Sequence, residues 1–338
     1  MAFRAQMRGD TAAVLAARNE VLLDREFCFE TDTGLFKLGD GSTPYNSLGY
    51  WELAPLFTGP VTMEAIANPS ASPSGQMHLY AHDVAGRIIP KYVGPSGLDN
   101  PLQAGLQSNY TSWLMPGAST AMIVSGPPVT TVGTMSHPAI EAGQNLRRSM
   151  RRASIVSAAS ANSAAEIRQA VAECYRGEIF GGVAAGGFFF SVRFGSPVVV
   201  ANQRLWVGLT SATGALSTTV APSTFVNAIG AGWDSADANL RIMHNDASGT
   251  ATKVDLGSDF PTNNIAAVYD LTLFCPPNGD EVGYRVLRLD TGAVAQGTLT
   301  TKLPAKALLL AFHAYINNGG TASACYIEVM RKYLESDY

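Results

Sequence analysis

Glu30, Asp32 and Asp40 fall inside one short run, FETDTGLFKLGDGSTPYNSLGYW (29–51), with Asp32 and Asp40 each near a glycine. Acidic residues in such a setting suggest oxygen ligation of a hard cation. That chemistry needs ligands at alternating positions and a bidentate glutamate at the twelfth. Asp32 is followed by Thr33, Gly34 and the apolar Leu35 and Phe36, so the frame is not met. A hairpin could still bring Glu30, Asp32 and Asp40 together. Asp-Thr-Gly is also the tripeptide of aspartic protease active sites, which need two such loops facing each other. A second copy does occur at 290–292, in R-L-D-T-G-A-V, and Thr-Gly recurs at 213–214 in S-A-T-G-A-L. All three are predicted to be hairpin turns, in which glycine takes positive φ and Asp or Thr bonds the local backbone.

His78 and His82 stand four apart beside Asp83, a zinc spacing on a helix. HLYAHD reads as a strand instead, where positions four apart share a face about 13 Å apart. One chain could not clamp an ion with that pair, although a trimer axis would change the count. His137, His244 and His313 have no companion motif. There is no G-x-S-x-G elbow, no phosphate-binding Walker loop and no G-x-G-x-x-G. GGVAAGGFFF (181–190) has glycines but leads into a strand, so it offers no helix N-terminus for a phosphate. Asp234 with Asp237, and Asp255 with Asp259, are the nearest approach to paired acids, and turn capping is the simpler use for them. We therefore expect no catalytic residue, no cofactor and no metal, and read the chain as a non-enzyme.

Sugar binding is the chemistry left. Sandwich proteins hold sugars with stacking aromatics rimmed by amides and carboxylates. The candidates are Trp233 with Asp234, the run His244-Asn245-Asp246, and Tyr315 with Asn317. Core or turn duty is the competing reading for each. Arg147, Arg148, Arg151 and Arg152 are the densest charge in the chain. They fit an anionic partner, inter-chain ion pairs or a solvated segment. Without interleaved aromatics, and with a net charge of −4, they give little reason to expect nucleic acid.

The elements that would position these groups are mostly strands. Residues 10–19, DTAAVLAARN, carry an N-cap Asp and helical spacing, so a short helix is predicted there. EFCF and LFKL flank a turn at 31–34, and QMHLYAH and GRIIPKY form a second expected hairpin. Residues 94–136 are turn-rich, with one strand candidate at 119–125. Ser163-Ala-Ala-Glu166 matches a capping box, and Ile167, Val171 and Cys174 or Tyr175 follow at helical spacing, which predicts one amphipathic helix of roughly 12 residues. From Gly187 onward, strand follows strand without βαβ alternation, which points to a jelly-roll-like β-sandwich. The expected organisation is a small N-terminal hairpin module (1–58), a middle β-module (59–146), an Arg/Ser-rich connector with the helix (147–178) and a C-terminal sandwich (179–338).

Composition agrees with a mainly β fold. The 338 residues include 33 glycines, and charged residues make up only 15%, against about 25% in typical domains, which suggests surface covered by partner chains. No run reaches the roughly 18 apolar residues of a membrane helix, so no membrane insertion is expected. The N-terminus turns charged at once, unlike a signal peptide. Cys28, Cys174, Cys275 and Cys325 are scattered and read as free thiols made in a reducing cytoplasm.

The opening stretch also carries a resemblance. MAFRAQMRGDTAAVLAARNEVLLDREFCFETDTGLFKLGDGSTPYNSLGYW resembles the N-terminal modules of bacteriophage tail fibres and receptor-binding proteins. These have an R-G-T-A start, a leucine before an acidic turn, then F-E-T-D-T-G, K-x-G-D-G-S and a closing aromatic. Asp10 interrupts the usual R-G-T here, and Asp24-Arg25 replaces the common Gly-Glu. Residues 79–103, 186–195, the run from Trp233 to Lys253 and the ending YLESDY are also similar to fibre segments. The resemblance implies a homotrimer in the virion, assembled in the host bacterial cytoplasm. Its N-terminal module would dock on tail, baseplate or capsid proteins through Phe29, Phe36, Tyr45, Tyr50 and Trp51. Its C-terminal sandwich would recognise host cell-surface polysaccharide or lipopolysaccharide. A purely structural tail adaptor or head fibre, and a glycan-degrading tailspike, are the alternatives.

Overall fold

The computed structural model describes residues 8–50, 61–95, 99–101, 110–116 and 122–336. The chain divides into two units, Met1–Thr62 and Met63–Tyr338.

In the first unit, β1 (Arg8–Asp10) runs parallel to β2 (Phe27–Glu30), and β2 pairs antiparallel with β3 (Phe36–Leu38). The predicted helix is present as α1 (Ala12–Arg18), ending on Asn19 in the left-handed conformation, but its N-cap is Thr11 and not the expected Asp10, which belongs to β1. Its single buried side chain, Leu15, packs with Leu22, Cys28 and Tyr45. Gly34 closes the expected β2–β3 turn at a φ of 73°.

In the second unit, β4 (His78–Val84) and β5 (Arg87–Val93) form the second expected hairpin, extended by β6 (Asp99–Pro101). The chain then builds two large sheets from β7 (Tyr110–Leu114), β8 (Ile123–Ser125), β9 (Val129–Val132), β10 (Thr134–Ser136), β11 (Ala153–Val156) and β12 (Ala164–Gln169). A small hairpin, β13 (Glu178–Phe180) with β14 (Val183–Ala185), follows. Next come β15 (Phe188–Gly195), β16 (Arg204–Thr210), β17 (Ala228–Trp233), β18 (Arg241–Asn245) and β19 (Thr252–Asp255). Last are β20 (Tyr269–Cys275), β21 (Val282–Arg288), β22 (Val294–Leu299), β23 (Ala311–Asn317) and β24 (Tyr326–Ser336). Sheet I has the order β10-β11-β24-β15-β20-β21-β22, with β7 and β8 joined to it through β24. Sheet II has the order β19-β18-β17-β16-β23-β12-β9. Every pairing in both is antiparallel.

Period-two alternation explains the packing. Phe188, Phe190, Val192 and Phe194 of β15 meet Leu205, Val207 and Leu209 of β16 and Phe312 of β23 in one buried cluster. Phe190 and Phe312 pack with ring centroids 5.6 Å apart. Each such side chain contributes about 1.5–3 kcal/mol by leaving water. The interior also encloses ions. Lys332, 0% exposed, is ion-paired to Glu173 and donates to the Thr111 hydroxyl. Burial pushes the Lys332 pKa down, and Glu173 partly restores it.

Several expectations change here. The stretch predicted as an amphipathic helix is strand β12, held between β23 and β9. Ala165 and Ile167 enter the sandwich core, while Glu166 turns to the opposite face and bonds His313. The Ser163 amide donates to Asn318, so no capping box forms. Long-range pairing overrides the local helical spacing. Strands from β7 to β12 belong to the two sandwich sheets, so the sheets extend across the expected divisions at 146/147 and 178/179. The Asp-Thr-Gly at 290–292 does join hairpin strands β21 and β22. Thr213-Gly214 lies instead in a long loop between β16 and β17. Arg147 and Arg152 converge on the buried Glu328, and Arg148 pairs with Glu141. Only Arg151 of the four is exposed, so the cluster is neither a footprint for an anionic polymer nor a solvated segment.

Candidate binding site

The outward face of sheet I is made by the residues that alternate with the core. On β15 these are Phe189, Ser191 and Arg193, and on β20 they are Asp270, Thr272 and Phe274. Register aligns Tyr333, Ser191, Thr272 and Arg285 in one row across four strands. Arg331, Arg193 and Asp270 form the row on one side, and Glu335, Phe189 and Phe274 the row on the other. The β4–β5 hairpin lies over these rows. Its tip sits on Gly283, where an added Cβ would stand 1.9 Å from the Ala85 carbonyl oxygen. Only glycine permits that approach. Arg87 at the start of β5 grips Glu335 with both arms of its guanidinium, at 3.0 and 2.9 Å, and lies 4.7 Å over the Phe189 ring.

Between hairpin and sheet lies a cleft of about 390 Å³. That volume falls within the roughly 300–1,000 Å³ of small-ligand sites. Ser191 and Thr272 form its floor, and Val84, Ile89 and Lys91 overhang it. A smaller cavity of about 170 Å³ adjoins at Arg87, Phe189 and Glu335 and reaches Pro277. Asp270 is held by two arginines, Arg193 at 2.7 Å and Arg331 at 2.9 Å. Tyr333 donates to Glu335 at 3.0 Å, and burial together with that carboxylate pushes its pKa up to about 12. Arg285 and the Thr272 hydroxyl have no hydrogen-bond partner among the described residues, although Asp270 acts on Arg285 through its charge. Among the described residues no histidine or cysteine lines the cleft. The arrangement is equipped to hold a polar ligand.

The sugar-binding candidates read from the sequence lie elsewhere and are mostly enclosed. Trp233 is 5% exposed and packs in the sandwich core. Asp234 and Asp237 both grip Lys253, at 2.5 and 2.7 Å. His244 is buried, with Nδ1 3.4 Å from the Lys302 carbonyl, and Asp246 caps the turn at Ser248. Asn245, Tyr315 and Asn317, at 1% exposure or less, bond backbone carbonyls of Phe225, Ser217 and Thr218. The rings of Trp233 and Tyr315 are therefore spent on packing, which corrects their reading as stacking platforms. Sequence reasoning missed Arg285, Arg331 and Thr272. The signal was there in L-T-L, Y-R-V and V-M-R-K-Y, polar residues regularly interrupting core strands.

In the first unit, Glu30 is 1% exposed and accepts hydrogen bonds from Thr33, Tyr45 and Tyr50, the last two at 2.5 and 2.8 Å. Burial alone would raise the Glu30 pKa, but these bonds and the charge of Lys37 together lower it. Lys37 lies 4.4 and 4.5 Å from the ring centres of Tyr45 and Tyr50. Asp32 accepts from the Ala12 amide at the start of α1, and Asp40 from the amides of Ser42 and Thr43. Each acid thus serves its own set of hydrogen bonds, and among the described residues no three potential ligands cluster to hold a metal. His78 and His82 both lie on β4, and His82 Nδ1 is 2.8 Å from the Ile66 carbonyl. Of the expected docking aromatics, Phe29 and Tyr50 are exposed and Phe36 half-buried, whereas Tyr45 is core. Trp51 lies outside the described residues. The four cysteines are free and buried. Among the described residues no helix is long and apolar enough to cross a membrane.

Residues 6–43 match the family model of the major tropism determinant N-terminal domain. No curated protein matches the sequence. Among solved structures, the chain is similar to peanut lectin bound to a 9mer peptide, at 12% identity and a TM-score of 0.44, covering 67% of this chain and 97% of that one. It is also similar to the lectin UEA-II in complex with galactose, at 13% identity and a TM-score of 0.42, covering 62% and 93%. Arcelin-5 of Phaseolus vulgaris matches at 8% identity and a TM-score of 0.43, covering 68% and 99%.

Proposed function

We propose that this chain is a bacteriophage receptor-binding protein. Its N-terminal unit attaches to the virion, and its sandwich unit recognises a glycan on the host surface. The match of residues 6–43 to the major tropism determinant N-terminal domain carries this reading. The cleft over sheet I supports the second half of it, since Arg285 and the Thr272 hydroxyl have no hydrogen-bond partner among the described residues and stand beside the aromatic rings of Phe189 and Tyr333. The chain acts by binding rather than by catalysis. Three copies assemble into a homotrimer, so that weak single sites add up to firm attachment. Exposed Phe29 and Tyr50 on the first unit supply apolar surface for the virion partner. Buried, unpaired cysteines suit assembly in the reducing host cytoplasm before release.

The test is adsorption. Purified full-length protein should bind susceptible bacteria and block infection by the parent phage in proportion to occupancy. Light scattering should give about three times the 35.6 kDa chain mass. Failure to bind any susceptible host would instead favour a purely structural virion component. Release of fragments from host polysaccharide would overturn the non-enzymatic reading.

A further inference from the structure

We infer that the cleft over sheet I takes an acidic saccharide, a sugar bearing a carboxylate or a phosphate, with Arg285 as the group that meets the anion. The inference builds on the receptor-binding reading by naming the ligand class. Its first ground is charge. Four basic side chains line the cleft against two carboxylates. Both carboxylates are already engaged, Glu335 by Arg87 and Asp270 by Arg193 and Arg331. Arg285 remains without a hydrogen bond or ion pair among the described residues, half-buried beside them. Desolvation draws its pKa down, and the charge of Asp270, already shared by Arg193 and Arg331, offsets that only in part. A partly buried cation without a counter-ion is unfavourable unless a ligand supplies one. The fork of a guanidinium fits a carboxylate or phosphate with two parallel bonds.

The second ground is the hydroxyl beside it. Thr272 pairs with Arg285 in register, is 6% exposed, and its hydroxyl finds no partner among the described residues. An anion seated on Arg285 would place the adjoining ring hydroxyls over that floor. The third ground is the wall, where Phe189 and Tyr333 stand edge to face at 6.4 Å and present carbon surface to a sugar ring. A wholly apolar ligand would leave the six charged groups of the cleft desolvated, and a bare inorganic anion would leave both the wall and the floor unused.

The experiment is saturation-transfer NMR on the full-length protein with glucuronate, N-acetylneuraminate, glucose 6-phosphate and glucose. At least one acidic sugar should bind about tenfold more tightly than glucose and weaken as salt is raised. The carboxylate and phosphate probes tell the two sources of the anion apart. Arg285→Gln should cost about tenfold in that affinity with an unchanged melting temperature, and Arg285→Lys should retain part of it. Equal binding of glucose, no acidic binding up to about 50 mM, or full binding by Arg285→Gln would each overturn the inference. Cell adsorption separates it from the broader reading. If wild type and Arg285→Gln adsorb equally, the cleft assignment fails and receptor binding stands. If neither adsorbs while acidic sugars still titrate Arg285, the receptor reading fails and the cleft stands.

Discussion

The outward faces of the two sandwich sheets use polar residues in opposite ways. On sheet II, Glu166, His313, Tyr315 and Asn317 lie under the loop that joins β16 to β17, and that loop's backbone satisfies them. His313 reaches the Ala212 carbonyl at 2.7 Å, Tyr315 reaches Ser217 at 2.7 Å, and Glu166 accepts from the Leu216 amide. Leu216 and Phe225 of the same loop pack on Trp206 and Tyr315, and the loop carbonyls of Thr213 and Thr219 take Arg168 and Arg204, leaving the Trp206 indole nitrogen and one nitrogen on each of those guanidinium groups without a bond on this face among the described residues. On sheet I the cover is a hairpin, whose backbone is already paired with itself. It reaches the sheet through its tip and through Arg87, so Arg285 and Thr272 stay unbonded and a cleft remains. A loop has spare carbonyls and amides with which to saturate a polar face, and a hairpin has few. The first kind of cover makes structure, and the second leaves room for a ligand.

The contrast can be broken by mutation. Tyr315→Ala removes a fully buried ring from beneath the loop and should lower stability by about 3–5 kcal/mol in urea unfolding, the largest effect expected. Glu166→Leu strands His313 and the Leu216 amide and should cost about 1–3 kcal/mol by the same measurement. Arg285→Gln on sheet I should leave stability within about 0.5 kcal/mol or raise it, because no native bond is lost. A loss as large as that of Glu166→Leu would show that the cleft side is structural after all. The smallest effect concerns acid. Burial lowers the His244 pKa from 6.5, against the pull of the Lys302 and Thr301 carbonyls and Asp246. The unfolded chain therefore binds more protons below that value, so the melting temperature should fall as pH drops below 6.5. His244→Gln should flatten that slope. Among the described residues the cleft has no histidine, so binding of a carboxylate sugar, which stays ionised over the same range, should stay level.

Much of the architecture was legible. The β2–β3 and β4–β5 hairpins, helix α1 and the long series of strands after Gly187 stand where alternation and turn residues put them. The stretch from Ser163 was misread because it carries two patterns at once. Ile167, Val171 and Tyr175 keep helical spacing, while Ala165 and Ile167 alternate with Glu166 and Arg168 at strand spacing. Pairing with β23, about 150 residues downstream, selected the second. The candidate site was far less legible. Trp233, Tyr315 and Asn317 have the right residue types for sugars but are consumed inside the fold, and Arg285 has an ordinary sequence context.

By itself the sequence determined what is local. Asp-Thr-Gly makes the turns at 32–34 and 290–292, Asp40 caps its own loop, and period-two alternation separates core from outward residues. These depend on contacts within a few residues, so spacing is enough to read them. Tertiary structure decided which outward residues end up satisfied. That depends on register, which sets Tyr333, Ser191, Thr272 and Arg285 side by side from distant segments. It depends equally on which segment covers each face. A loop's free backbone groups close sheet II, and a hairpin's paired ones leave Arg285 open.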